Sequence, residues 1–260
     1  MPLTLYVKAS DSITRLQRTA LAQRVVEYLN PRLSNRRLLC FLDDEEWQIL
    51  KDENGVANRG IYIPYPSPLS CYYAPQYIQD RLGADYGLLN DLIYLHGTTC
   101  ASELGLTMTL AHELQHCIHH SEHVQLWAAN TLLSQLPGST LSAMRLRSCD
   151  IPIEREARIV SKRVAEYLFG AEVLRQYIDA KITEPVTEED ASDWECIREI
   201  GTSTVYDLGH ETALLFRALT AHRTELEQAL DNLRCRSNDF KVVDLDMLLR
   251  GGTNAPPPLA

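Results

Sequence analysis

Apolar and polar positions in the first hundred residues switch between helical and strand-like spacing. A helix is predicted from about residue 12 to 29, capped by Asp11 or Ser12 and followed by Pro31. Its apolar stripe consists of Ile13, Leu16, Leu21, Val25 and Leu29. Short apolar runs predict strands at 36–44, 59–66 and 91–97, although the leucines of the first run are equally compatible with a helix.

The remaining pattern before residue 100 is less regular. Residues 45–55 have the spacing of a short helix that ends at Asn54 and Gly55. Residues 67–82 begin with prolines and tyrosines and continue with helical spacing. The first hundred residues are therefore predicted to be a mixture of strands and helices.

From Ser102 onward the spacing of apolar residues is helical throughout. The predicted helices are 103–121, 123–135, 152–169, 171–181, 187–199, 203–217, 219–235 and 240–249. A loop is predicted at 136–142, and the glycine- and proline-rich tail at 251–260 is predicted to be disordered. The whole chain is thus predicted to belong to the α+β class.

The helix predicted at 103–121 carries an unusual set of histidines. On a helical wheel its apolar side consists of Leu106, Leu110, Leu114, Cys117 and Ile118. The opposite side consists of His112, His116, His119, His120 and His123, with Thr109 among them. This side is predicted to face away from the core. Exposed helix faces are usually filled by Lys, Glu, Arg and Gln, so five imidazoles there suggest a ligand-binding role.

Residues 112–116 form the motif HExxH. Its spacing places His112 and His116 one helical turn apart, so that both imidazoles can reach one zinc ion. Glu113 projects to the side, where it can act as a general base on a water bound to that metal. A zinc-dependent hydrolase is the chemistry that this motif predicts.

The residues around the motif resemble those of the zincin metallopeptidases. That family has Val or Thr three residues before the first histidine, uncharged neighbours and an apolar residue two after the second histidine. Thr109 and Ile118 satisfy the two outer positions. The resemblance implies a small mixed N-terminal sheet with an edge strand, here assigned to 91–97, leading into the active-site helix. It implies subdomains at 1–121 and 122–250, the second helical and carrying the third metal ligand, with the tail at 251–260 outside both.

A catalytic zinc site needs a third protein ligand. The longer motif HExxHxxGxxH is excluded because His119 replaces its glycine and Glu122 its last histidine. His120 is a minor alternative, since it would have to replace His112. Spacing alone leaves Glu154 and Glu156 equivalent on the predicted helix at 152–169.

A further resemblance selects between the two glutamates. In the ImmA/IrrE-like and HtpX-like peptidases, which are of the gluzincin type, the ligand glutamate begins the pattern ExxA. Glu154 to Ala157 matches that pattern and implies that Glu154 is the ligand, with Glu156 in reserve. These families commonly place Asp or Asn directly after the alanine, whereas this chain has Arg158, so the carboxylate that would orient a zinc-binding histidine is in question.

Enzymes of this kind usually stabilise the transition-state oxyanion with a histidine or tyrosine from a C-terminal helix. Tyr206 and His210 are four residues apart and are predicted to share one face of the helix at 203–217. Packing of a partly buried tyrosine and histidine explains the same pattern equally well. Both are retained as candidate catalytic residues.

Composition narrows the setting of the protein. Its net charge of −10 argues against nucleic acid and anionic membranes as partners, since both require clustered basic residues. There is no signal-peptide pattern and no apolar run long enough for a membrane span. Seven scattered cysteines without a CxxC pair are typical of reduced thiols, which predicts a cytoplasmic protein.

The sequence therefore predicts a cytoplasmic zinc metallopeptidase that acts on a protein or peptide. His112, His116 and Glu154 would hold Zn²⁺, Glu113 would activate the metal-bound water, and a substrate strand would pair with the strand at 91–97. One alternative is a non-catalytic regulatory protein of the same fold that binds a separate protein partner. The other is a zinc hydrolase that acts on a non-peptide substrate.

Overall fold

The structure is a computed structural model, and it describes residues 4–7, 12–33, 38–43, 60–64, 91–136, 146–185, 188–203 and 205–252. The helix predicted at 45–55 and the segment at 67–82 lie outside these residues. So do most of the loop predicted at 136–142 and residues 253–260 of the predicted tail.

Four strands form one mixed sheet. They are β1 (Thr4–Val7), β2 (Leu38–Asp43), β3 (Gly60–Pro64) and β4 (Asp91–His96). Their order across the sheet is β1-β2-β4-β3. The pairs β1–β2 and β2–β4 are parallel, whereas β3 runs antiparallel to β4. All three predicted strands are confirmed, and β1 was not predicted because only four residues carry it.

The strand at 91–97 was predicted to lie at the edge of the sheet, and this prediction is wrong. β4 pairs with β2 on one side and with β3 on the other, so it lies inside the sheet. Among the described strands, the edge next to it is β3, where Ile63 pairs with Leu92 and Ile61 with Tyr94. Strand order depends on contacts distant in sequence, whereas the apolar run of β4 indicates only that both faces of the strand are buried.

The first helix, α1 (Ser12–Leu33), is longer than predicted because it continues past Pro31. Leu21, Val25 and Leu29 are buried as the apolar stripe requires, but Leu16 is 67% exposed and does not belong to the core. The helix packs on α3, defined below, and on β1.

The other helices follow in the second half of the chain. Their bounds are α2 (Gly97–Cys100), α3 (Glu103–Glu122), α4 (Val124–Ser134), α5 (Pro152–Phe169), α6 (Ala171–Thr183), α7 (Glu188–Glu199), α8 (Leu208–Ala218), α9 (Arg223–Arg234) and α10 (Leu245–Leu249). Short 3₁₀ turns precede α5, α9 and α10. The described part of the chain is mostly helical with one small sheet, which confirms the α+β class.

Helix α3 joins the sheet to the remaining helices. Its apolar side is buried against α1 and the sheet, as predicted for Leu106, Leu110, Leu114, Cys117 and Ile118. A second apolar core lies among α4, the start of α5 and helices α8 to α10. The division into subdomains at residue 121 stays a prediction. None of the described helices is long and apolar enough to cross a membrane.

Candidate metal centre

The start of α3 fixes the direction of the HExxH segment. Ser102 accepts a hydrogen bond from the backbone N–H of Gly105 at 3.0 Å, which caps the helix. One turn before His112, the Cγ2 methyl of Thr109 lies against strand β3: a Cβ added to Gly60 would lie 2.6 Å from it. Gly60 therefore allows β3 to lie directly on the helix.

The start of α5 is held by a residue of another helix. Pro152 occupies the first turn, where its missing N–H costs nothing, and the capping residue Ile151 makes no side-chain bond. Instead, the side-chain oxygen of Asn130 on α4 accepts a hydrogen bond from the backbone N–H of Ile153 at 3.3 Å. Asn130 is itself buried and donates to Thr212 at 2.9 Å. This contact places Glu154 in a fixed first turn.

Helices α3 and α5 bring His112, His116 and Glu154 together. The Nε2 atoms of the two histidines are 2.9 Å apart. One carboxylate oxygen of Glu154 is 3.2 Å from Nε2 of His112, and the other is 3.3 Å from Nε2 of His116. Ligand atoms about 3.3 Å apart are what a tetrahedral ion with bonds of about 2.0–2.1 Å requires. This half-buried group can hold a metal ion.

Burial and mutual contact set the charges of these three groups. Burial and the neighbouring His116 lower the pKa of His112 to about 4, which leaves its imidazole neutral near pH 7. Burial opposes protonation of His116 as well, but the Glu154 carboxylate outweighs it and raises the pKa of His116. The two imidazoles in turn hold the pKa of Glu154 well below its usual range despite its burial. The centre thus offers two imidazole nitrogens and one carboxylate anion.

Glu113 lies beside these groups and is not one of them. It is 6% exposed and packs against strand β3, where its carboxylate accepts a hydrogen bond from the backbone N–H of Tyr62. Burial raises the pKa of Glu113 to about 7. A carboxyl group with a pKa near neutrality can both accept and return a proton at physiological pH.

The residue that departs from the resemblance, Arg158, lies behind Glu154. It is buried, and its Nη2 group donates to both carboxylate oxygens of Asp193 on α7, each at 3.1 Å. Its Nη1 atom is 3.8 Å from Oε2 of Glu154. An arginine–aspartate pair therefore stands at the position where the resembling families place a carboxylate or amide.

His119 shows that the histidine side of α3 is not a solvent-facing surface. The prediction that this side faces away from the core is wrong for His119, which is fully buried. Its Nε2 atom lies 2.7 Å from Glu156 and 3.0 Å from the side-chain amide of Gln115. Periodicity cannot separate an exposed polar side from one that is covered by paired groups of another helix. Glu156, the reserve ligand, is thereby placed on His119 and not on the candidate metal group.

His120 belongs to a separate polar network that the sequence did not indicate. Its Nδ1 atom is 3.1 Å from the hydroxyl of Tyr62, which donates to the buried carboxylate of Asp91 at 2.5 Å. Its Nε2 atom is 3.6 Å from Asp239, in the 3₁₀ turn before α10, and its ring contacts Trp127 edge-on. The network joins β3, β4 and α3 to the C-terminal helices.

Tyr206 and His210 do not share a helical face. Helix α8 begins at Leu208, capped by Asp207, so Tyr206 precedes it and the predicted start of this helix at 203 is wrong. The reason is the cap: Asp207 accepts a hydrogen bond from the backbone N–H of His210 at 2.9 Å and fixes the first turn there. His210 is exposed, and Tyr206 is partly buried next to the apolar cores. Their catalytic role stays a prediction.

Comparison with known proteins gives no relative. No protein-family model matches this chain, and no curated protein or solved structure matches it. The centre consists of two imidazoles and one carboxylate that can hold a metal ion, with one adjacent carboxyl group whose pKa is raised.

Proposed function

We propose that this protein is a zinc-dependent peptidase of the zincin type, with zinc held by His112, His116 and Glu154. The observation that supports the proposal best is the approach of the two imidazoles and the carboxylate to within 3.3 Å of one another across two helices. Two histidines and one glutamate are a recurrent ligand set of catalytic zinc, and they leave a fourth position for a small molecule.

Zinc at this position would supply a Lewis acid that polarises a carbonyl group and lowers the pKa of water. The chain supplies the proton transfer. Glu113 would accept a proton from water at the centre and deliver it to the leaving amine, for which its raised pKa is suited. The N–H of Tyr62 holds the Glu113 carboxylate in position for both steps.

The substrate would bind along β3 and not along the strand at 91–97, which lies inside the sheet. Among the described strands β3 is at the end of the sheet, and it lies against both Thr109 and Glu113 of the HExxH helix. An extended peptide that adds to this edge would pass next to the metal ligands and the base. This arrangement favours a peptide over a small non-peptide substrate.

Metal analysis of the purified protein tests the metal part of the proposal. Wild-type protein should contain about one zinc per chain, as expected for a three-ligand site, and both His112→Ala and Glu154→Ala should lose it. Glu156→Ala is the matched control and should keep its zinc, because Glu156 contacts His119. Zinc retained in Glu154→Ala would contradict the ligand assignment.

Peptide cleavage tests the catalytic part. A mixture of unstructured peptides should be cut by the zinc-loaded wild type and not by Glu113→Gln with its zinc retained. A wild type that binds zinc and cuts no peptide would instead support the non-catalytic alternative, in which the same fold binds a separate protein partner.

A further inference from the structure

The side chain of Arg158 lies between two carboxylates, those of Asp193 and Glu154, and forms hydrogen bonds with only one of them. Both oxygens of Asp193 accept hydrogen bonds from its Nη2 group at 3.1 Å. Glu154 is only within ion-pair distance, 3.8 Å from Nη1, and lies four residues earlier on the same helix. The guanidinium is thus bonded to one carboxylate and held just short of the other.

The burial of this side chain makes the arrangement consequential. Arg158 is 7% exposed, and within the described ranges its Nη1 group is buried without a hydrogen-bond partner. A buried donor without a hydrogen-bond partner is destabilising, so a hydrogen bond from Nη1 to Glu154 would stabilise the side chain. The contact of Nη2 with both oxygens of Asp193, which is on a different helix, holds the guanidinium on the side away from Glu154.

We propose that Asp193 holds the guanidinium of Arg158 away from Glu154 and so keeps the Glu154 carboxylate available to a metal ion. Arg158 is then a competitor for the third ligand, and Asp193 is a positioning residue that acts through it. The inference rests on the proposed metal centre, because it concerns the ligand that the centre takes from α5.

Neutralising Asp193 should therefore weaken metal binding, whereas removing the guanidinium of Arg158 should leave metal binding as tight as in wild type or tighter. With Asp193 neutralised, the guanidinium would turn to Glu154, and its positive charge and hydrogen bond would both oppose binding of a cation. With the guanidinium removed, neither effect remains. If Arg158 and Asp193 merely supported the fold, changing either residue would lower metal affinity.

The test measures zinc dissociation constants by competition with a chromophoric chelator, which requires no catalytic activity. Asp193→Asn should weaken zinc binding about tenfold, the lower end of what is lost when a residue that orients a metal ligand is removed. Arg158→Met should bind zinc at least as tightly as wild type. In the Arg158→Met background, Asp193→Asn should change affinity less than about twofold, because the competitor is already gone.

Asp179→Asn is the matched control. It makes the same substitution in another arginine–aspartate pair, since Asp179 accepts from Arg175 at 3.0 Å on the exposed side of α6. Zinc affinity should stay at the wild-type value. Circular dichroism of the metal-free variants verifies folding, and a crystal structure of metal-free Asp193→Asn should show Arg158 hydrogen-bonded to Glu154.

Three results would overturn the inference while leaving the metal centre intact: an unchanged affinity in Asp193→Asn, an equal loss in both backgrounds, or weaker binding in Arg158→Met. A wild type that binds no zinc would overturn the proposed function itself. The two failures are therefore distinguishable in one set of titrations.

Discussion

The side-chain oxygen of Asn130 accepts a hydrogen bond from the backbone N–H of Ile153, and through this bond helix α4 caps the helix that carries Glu154. Asn130→Ala would leave that N–H, and the hydroxyl of Thr212, without this partner inside the protein. We expect the variant to lose about 2–3 kcal/mol in the free energy of unfolding, as buried polar groups that lose a partner do. Urea denaturation measures this loss.

Thr131→Ala is the control for Asn130→Ala. Thr131 is the next residue on α4. Within the described part of the chain, its hydroxyl donates only to the backbone carbonyl of Trp127, one turn earlier in the same helix. A loss below about 1 kcal/mol is expected there, since alanine favours a helix. Equal losses in the two variants would contradict the capping role of Asn130.

Gly60 provides a second prediction, because a Cβ at this position would lie 2.6 Å from Cγ2 of Thr109 and 3.1 Å from Oε1 of Glu113. Gly60→Ala should therefore push β3 away from α3 and cost about 1–3 kcal/mol, the usual penalty for overpacking. Thr109→Ser removes the methyl group and keeps the hydroxyl. The double variant should recover part of the stability that Gly60→Ala loses, as measured by denaturation; additive losses would show that the two residues do not meet.

Glu113 predicts how stability depends on pH when the metal has been removed by a chelator. The pKa of Glu113 in the folded protein is about 7, above its ordinary value of 4.5, so ionisation favours the unfolded chain and stability falls as pH rises between these values. Glu113→Gln cannot ionise. The difference in free energy of unfolding, Glu113→Gln minus wild type, should therefore increase by about 2–3 kcal/mol from pH 5 to pH 8. A difference that stays constant with pH would contradict the raised pKa.

The two glutamates of α5 should have separable roles. Glu156→Ala removes the carboxylate 2.7 Å from the fully buried His119, and we expect a loss of about 1–3 kcal/mol in stability with the zinc content unchanged. Glu154→Ala should bind no zinc, so added zinc should not stabilise it as we expect it to stabilise wild type. Unfolding with and without added zinc measures both effects. A Glu156→Ala variant that lacks zinc would reverse the assignment.

Zinc binding should weaken as pH falls. The Glu154 carboxylate raises the pKa of His116 in the metal-free protein, and the imidazole must lose its proton before it can bind a metal. Zinc titrations at pH 8 and pH 6 should therefore show lower affinity at pH 6, with protons released on binding. Equal affinity and no proton release at the two values would contradict the prediction.

The helices of the candidate centre could be predicted closely because their end signals are local. Pro152 and Gly170 delimit the predicted helix at 152–169, and α5 has those bounds. The apolar stripe of α3 is likewise buried as periodicity requires. Local spacing also indicated the two histidines that meet Glu154.

What could not be predicted depends on contacts between distant segments. The position of β3 at the edge of the sheet follows from pairing with β4, about thirty residues later in the chain, and alternating apolar residues carry no information about strand order. The partners of His119 and His120 come from α5, β3 and the C-terminal turn. Tyr206 was predicted to lie within a helix, but Asp207 caps that helix, so Tyr206 precedes its first turn.

The pairs His116–Glu154 and His119–Glu156 join the same two helices at successive positions. Together they fix the register of α3 against α5, because both pairs can form at the same time in only one alignment of the two helices. A slide of α5 by one turn would bring Arg158 to the place of Glu154 and set a cation against two imidazoles. The histidine-rich side of α3 therefore determines which part of α5 packs against it. When the two helices pack in this register, the candidate metal ligands are brought together as well.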